Sequence, residues 1–337
     1  MRLLFLYIAG TMRHILLPIF AACILSACTP SANLRKYDNY RFVQSGDARD
    51  TGKVKVTFLG TSTLLLDDGE TQLLTDGFVT RPGILKTGFG KIGCDTAKVS
   101  AFIKTYQVSK LKGIFCAHSH YDHAMDAPYI AKQTGAIMYG SSSTLNIGRG
   151  AGLKEELMQQ YQLNTPIKFG KFTVTILPSK HTPPFKVMGK SNDDLGVAIT
   201  QPLPQPAKAE AYSEGGAFDV LIEHSGKRIL IKASTNWLPG ALDGVQTDVV
   251  FLGAACMGKQ DSAFRANYYN ETIGKLQPKI VVPIHWDNFF KPLSPHLKAL
   301  PTVVDNVKLG FDYIIERTKQ DGIQFRIMQG GDSVLLF

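Results

Sequence analysis

The stretch "HSHYDH", His118 to His123, constrains the fold more than any other part of this 337-residue chain. It places four side chains that can bind a metal, His118, His120, Asp122 and His123, within six positions. It follows the apolar run "KLKGIFCA", which reads as a strand over Gly113 to Ala117. The ligands therefore leave the end of a strand, where sites collect in α/β sheets. A catalytic zinc takes about three protein ligands, at roughly 2.0–2.2 Å, and keeps one position open. Four local ligands are more than one ion needs and too few for two. The fold must bring further ligands from distant strand ends.

Candidate strand ends are easy to find. "GTSTLLLDDGETQLLTDGF" reads as paired strands turning at Asp67-Asp68-Gly69 and ending at Asp76. "FTVTILPSKHTPPF" is a strand that runs out at His181, and "KIVVPIHWDNFF" is one that ends at His285. "FDVLIEHSGKRILIKAST" is a hairpin turning at Ser225-Gly226. "DAPYIAKQTG" predicts a helix with Asp126 as N-cap and Gly135 just past its end, and "GLKEELMQQYQL" predicts an amphipathic helix. "TDVVFLGAA" is a strand and "YYNETIGKLQ" a helix. Residues 303–337 read as a helix followed by two strands. The segment 183–217 is a long excursion rich in Pro, Gly, Lys and Asp, with a strand near Leu195–Thr200. Long loops of this kind are often functional.

The N-terminus has a different character. "MRHILLPIFAACILSAC" has a basic start and an apolar run too short to span a membrane, as a secretory signal does. Met12 already opens a complete signal, so Met1 and Met12 are both candidate starts. The run ends in "LSAC", Leu25 to Cys28, which resembles the bacterial lipobox. That implies cleavage before Cys28, lipidation of Cys28, and a cell-envelope lipoprotein, in the outer membrane and facing the periplasm. The expected organisation is a signal over 1–27, a tether over 28–52 and one domain over 53–337. Loss of 1–27 removes Arg2 and Arg13 and no acid, lowering the net charge of +9 by two. The remaining basic residues are scattered, with no dense run beside aromatics, which argues against nucleic acid as a partner. Cys94, Cys116 and Cys256 form no CxxC pattern, so neither a disulfide framework nor a thiolate zinc site is indicated.

In combination, "HSHYDH", the early Asp76, the lone His181 in "SKHTPP" and His285 in "VVPIHWDNF" resemble the metallo-β-lactamase-fold hydrolase superfamily, over about residues 53–290. Within it the chain is most similar to the ascorbate-6-phosphate-lactonase-like and N-acyl-phosphatidylethanolamine phospholipase D-like branch. The resemblance implies a four-layer αββα sandwich with two zinc ions at one edge. His118, His120 and His181 would hold the first ion. Asp122, His123 and His285 would hold the second, with a hydroxide between them as nucleophile. Asp122 would orient that nucleophile and pass a proton to the leaving group, and Asp76 would brace the ligand loop. Trp286 and Asp287 would line the pocket.

The chain departs from the family at one position. Many members have a bridging Asp in a strand-end "GDT", where this chain has "ILIKASTNW" with Ser234. A serine hydroxyl is a poor anionic bridge, so the two sites are expected to differ in affinity, with the second weaker. Without that carboxylate the loaded site is more positive, which suits an anionic substrate. The expectation is a zinc-dependent hydrolase of an ester, lactone, amide or phosphodiester, acting on a small or lipid-like molecule. The alternatives are a β-lactamase, which the "HTPPF" flank argues against; a diiron enzyme, which His120 argues against; and a non-catalytic metal-binding lipoprotein. His224 and His296 are read as incidental core or surface residues, and Tyr121 as packing beside the motif.

Overall fold

The computed structural model describes residues 33–42, 52–184, 186–187, 190–191 and 194–337. The signal and Cys28 lie outside the described residues. Six strands open one sheet: β1 (Val54–Phe58), β2 (Leu64–Asp67), β3 (Gln72–Thr75), β4 (Leu111–Phe115), β5 (Ile137–Gly140) and β6 (Met158–Gln160). The second sheet uses β7 (Ile167–Phe169), β8 (Phe172–Pro178), β11 (Phe218–His224), β12 (Lys227–Lys232), β13 (Val249–Gly253), β14 (Ile280–Ile284) and β15 (Gln324–Phe325). A separate pair, β9 (Lys186–Val187) and β10 (Lys190–Ser191), lies in the excursion, and β16 (Ser333–Leu336) returns to the first sheet. The orders are β16-β1-β2-β3-β4-β5-β6 and β15-β14-β13-β12-β11-β8-β7.

Period-two alternation explains the layers. On β1 and β2, Val54, Val56, Phe58, Leu64 and Leu66 face the second sheet and share a core with Val174, Ile176, Val220, Ile222 and Ile229. Leu65, Leu74 and Ile114 point to the other side. There they meet α2 (Thr96–Thr105) through Val99 and Phe102, and α4 (Ala127–Thr134) through Ile130 and Ala131. The short helices α1 (Ile84–Phe89), α3 (Tyr121–Ala124) and α5 (Ser142–Gly150) belong to this half. The outer side of the second sheet is covered by α6 (Ser262–Tyr269) and α7 (Val307–Gln320), through Tyr268, Tyr269, Phe311 and Ile314. Each fully buried aliphatic side chain is worth about 1.5–3 kcal/mol. The expected helix–sheet–sheet–helix sandwich is present.

Local chemistry sets several boundaries. Asp95 caps α2 by accepting from the amides of Ala97 and Lys98. Ser225 and Gly226 take positive φ of 50° and 74°, the twist a two-residue hairpin turn needs.

Four segments differ from the sequence reading. "GLKEELMQQYQL" is no helix: Glu155–Leu157 is one 3-10 turn and Met158 then pairs with Met138 of β5. Sheet pairing overrides its helical periodicity. Leu195–Thr200 forms no strand. The Ser- and Gly-rich stretch after β5 instead forms α5, capped by Ser141 on the amide of Thr144. Within the expected tether, Asn33–Phe42 packs on the domain. Tyr37 is buried against Phe311 and donates to the carbonyl of Lys308 and to Asp312. Arg41 pairs with Asp332 at 2.7 Å.

Candidate metal centre

Three strand ends and one helical turn converge at one edge of the sandwich. Chain leaving β4 supplies His118 and His120, and the single turn α3 then carries Asp122 and His123. His181 follows β8 after a short loop, and His285 directly follows β14. These six side chains fall into two triads: His118, His120 and His181, and Asp122, His123 and His285. All six residues predicted as ligands are therefore brought together.

The rings of the first triad stand almost mutually perpendicular, with centroids 4.8, 4.7 and 4.7 Å apart. In the second, Asp122 Oδ2 lies 3.3 Å from His285 Nε2 and 3.6 Å from His123 Nε2. The two Nε2 atoms are 3.2 Å apart. Ligands about 2.0–2.2 Å from a tetrahedral zinc lie roughly 3.3–3.6 Å from one another. The second triad thus has the edge lengths of one coordination tetrahedron. The His118 and His123 rings are 3.8 Å apart, which sets the triads side by side.

Electrostatics fit the same assignment. Burial, reinforced by the surrounding imidazoles, pushes His118 well below its usual pKa, and burial with His120 and His123 pushes His181 down to about 3. Both rings are neutral at pH 7 and keep a lone pair for a cation. Burial alone would raise the pKa of Asp122, but His123 and His285 override it and hold the carboxyl below its usual range. His285 is raised: burial lowers it, and the hydrogen bond to Asp122 more than offsets that. Both nitrogens of His118 are buried without a hydrogen-bond partner among the described residues. Such groups cost about 1–3 kcal/mol each when left unmet, and a cation is the partner that would satisfy an imidazole lone pair at the centre of the first triad. The residues present fit a metal ion in each triad.

The supporting shell orients the rings. Asp76 is fully buried and lies 2.9 Å from His123 Nδ1, which leaves His123 Nε2 toward the triad. Asp76 also accepts from Ser62 Oγ and from the amide of Ala117, fixing the chain where it leaves β4. His181 Nδ1 donates to the carbonyl of Thr182, leaving its Nε2 free. Asp76, Thr61 and His285 have positive φ of 56°, 53° and 60°. Such backbone is rare for non-glycine residues and clusters at functional sites.

Two expectations are corrected. Trp286 and Asp287 do not line a pocket, because both are fully buried. Trp286 packs on Phe311. Asp287 accepts from the amide of Thr61 and forms an ion pair with the guanidinium of Arg81. Thr61 in turn accepts from the amide of His285 at 2.6 Å. Arg81, Asp287 and Thr61 thus form a chain that holds His285, and nothing in the sequence marked Arg81 or Thr61. Ser234 is buried. Its neighbours steady the His181 loop: the amide of Thr235 donates to Thr182 Oγ1, and Asn236 Nδ2 donates to the His181 carbonyl. Tyr121 packs against Phe78 and Tyr212, as expected. His224 is a core residue 3.1 Å from Asp68, and His296 is exposed.

Residues 56–235 match the family model described as the metallo-beta-lactamase superfamily. A UPF0173 metal-dependent hydrolase of Thermus thermophilus is 23% identical over 241 residues, covering 70% of this chain and 85% of that relative. A second, from Christiangramia forsetii, is 33% identical over 93 residues, which span 28% of this chain and 34% of the relative. Among solved structures, a metallo hydrolase of the archaeon Ignicoccus hospitalis superposes with a TM-score of 0.52 at 16% identity, covering 85% of this chain and 99% of that one. That last likeness speaks for the fold. With the family model spanning more than half of its length, the chain belongs to the metallo-beta-lactamase superfamily.

Proposed function

We propose that this chain is a zinc-dependent hydrolase with two metal ions, the second bound more weakly. The observation that supports it most is the second triad, whose three ligand atoms are spaced as ligands of one ion are. The relatives named metal-dependent hydrolases support the reaction class. When bound, the ions supply Lewis acidity toward a carbonyl or phosphoryl oxygen and make water acidic enough to attack at neutral pH. The chain's own residues do the rest. Five imidazoles fix the geometry of the two triads. Asp122 stays ionised, and its oxygen turned away from His285 accepts the proton of the attacking water and returns it to the leaving group. With one carboxylate among six ligands, the loaded site is strongly positive and favours an anionic substrate.

The substrate class is an ester, lactone, amide or phosphodiester in a small or lipid-like molecule. This matches the ascorbate-6-phosphate-lactonase-like and N-acyl-phosphatidylethanolamine phospholipase D-like branch. The lipobox-like "LSAC" supports lipidation at Cys28 and an outer-membrane lipoprotein whose domain faces the periplasm. A panel of chromogenic phosphodiester, lactone, acyl ester and β-lactam substrates tests the reading. The expected result is turnover of a substrate other than the β-lactam, lost on chelation and restored by zinc. Chelator-insensitive turnover, or none on any member, would overturn it.

A further inference from the structure

The described residues of the long excursion 183–217 take no part in the two triads, yet some of them fold back against the ligand loop. Gly215 accepts φ of 62° and lies so close to Ser119 and Ser143 that a Cβ there would overlap both. The amide of Ser119 donates to the Glu214 carbonyl, and Ser119 Oγ donates to the carbonyls of Ser213 and Glu214. Glu214 in turn accepts from the amide of Gly196, and the amide of Val197 donates to the Asp194 carbonyl. This run of contacts ties Asp194 to the ligand loop. Its Oδ2 lies 2.9 Å from His120 Nε2, with the two side chains 22% and 11% exposed. Its Oδ1 is buried and takes no hydrogen bond among the described residues, so His120 is the side chain it serves. Asp194 is not a member of either triad.

From this geometry we infer that Asp194 is a positioning residue for the first metal: it holds the proton of His120 on Nε2 and thereby presents Nδ1 to the ion. The inference rests on the two-metal reading above. A carboxylate accepting from Nε2–H fixes both the tautomer and the ring plane, and it makes the opposite nitrogen a stronger donor. His120 would then bind through the nitrogen opposite to the one His123 and His181 use. Their Nδ1 atoms are engaged by Asp76 and the Thr182 carbonyl. The excursion's role is to deliver this carboxylate.

The test is zinc affinity at each site by competition with a chromophoric chelator, with Co²⁺ absorption reporting ligand geometry. Asp194→Ala should weaken the first site by about 10–100-fold and leave the second within about twofold. Asp194→Asn keeps an acceptor for Nε2–H and should recover most of the affinity. Thermal unfolding of the metal-free protein should be alike in all three forms. Unchanged affinity at both sites in Asp194→Ala would overturn the inference. So would equal weakening of both sites, or an Asn variant no better than Ala. A wild-type chain that binds no zinc fails the two-metal reading itself, whereas a wild type with two ions and an unaffected Ala variant fails the Asp194 inference alone.

Discussion

Replacing His120 with alanine should abolish hydrolysis and remove the first metal ion. His120 supplies one of three ligands in a triad whose rings sit 4.7–4.8 Å apart, and no other metal-binding side chain joins that triad among the described residues. Two imidazoles alone leave the ion open to solvent and to exchange. The loss of turnover exceeds the roughly 10²–10⁴-fold that follows removal of one positioned acid–base group, because the electrophile and the nucleophile are lost together. The fold should survive, since His120 belongs to neither hydrophobic core. Metal content of the dialysed variant and its turnover on the best substrate check this. Retained activity at the wild-type rate would exclude the zinc mechanism.

The second large effect concerns stability. Arg81→Ala should lower the unfolding free energy by about 3–5 kcal/mol, the usual consequence of removing one partner of a buried ion pair. The side chains of Arg81 and Asp287 are 1% and 0% exposed, so Asp287 would keep a charge with no cation to meet it. Arg81 Nε also donates to the Lys291 carbonyl, which pins the chain beyond His285. Chemical denaturation of the metal-free protein reads the change directly. Because Asp287 holds Thr61 and Thr61 holds the amide of His285, the second metal site should loosen as well. A loss below about 1 kcal/mol, the scale of an exposed pair, would show that this pair is not the support described.

The two predictions draw on parts of the molecule that differed in legibility. The six ligands and Asp76 were readable because metal chemistry limits residue type and strand ends limit place. His118 to His123 advertised the centre, and the apolar runs before His181 and His285 pointed to the same edge. Most strands of the two sheets were readable for the related reason that period-two burial leaves a trace in the order of residues, whereas β6 was not. Supports made by pairing across the fold left no such trace. Arg81 and Asp287 are 206 positions apart, and Asp194 and His120 are 74 apart. Asp287 was noticed for its position after His285, and the pocket role assigned to it failed because burial, not proximity in sequence, decides what a side chain faces. The helix expected over "GLKEELMQQYQL" failed for a comparable reason: an available sheet edge at β5 outweighs the periodicity of twelve residues. Ser234, expected to leave the bridge position without a carboxylate, is buried. The support near it comes from Thr235 and Asn236, through backbone groups that sequence does not reveal.

The most direct test of the two-metal centre is a count of zinc bound per chain at equilibrium, in the wild type and in His285→Ala. The wild type should bind two ions with distinguishable affinities, and His285→Ala should bind one, at the affinity of the wild type's tighter site. A wild type that binds no zinc, or a His285→Ala variant that binds two as the wild type does, would contradict the account.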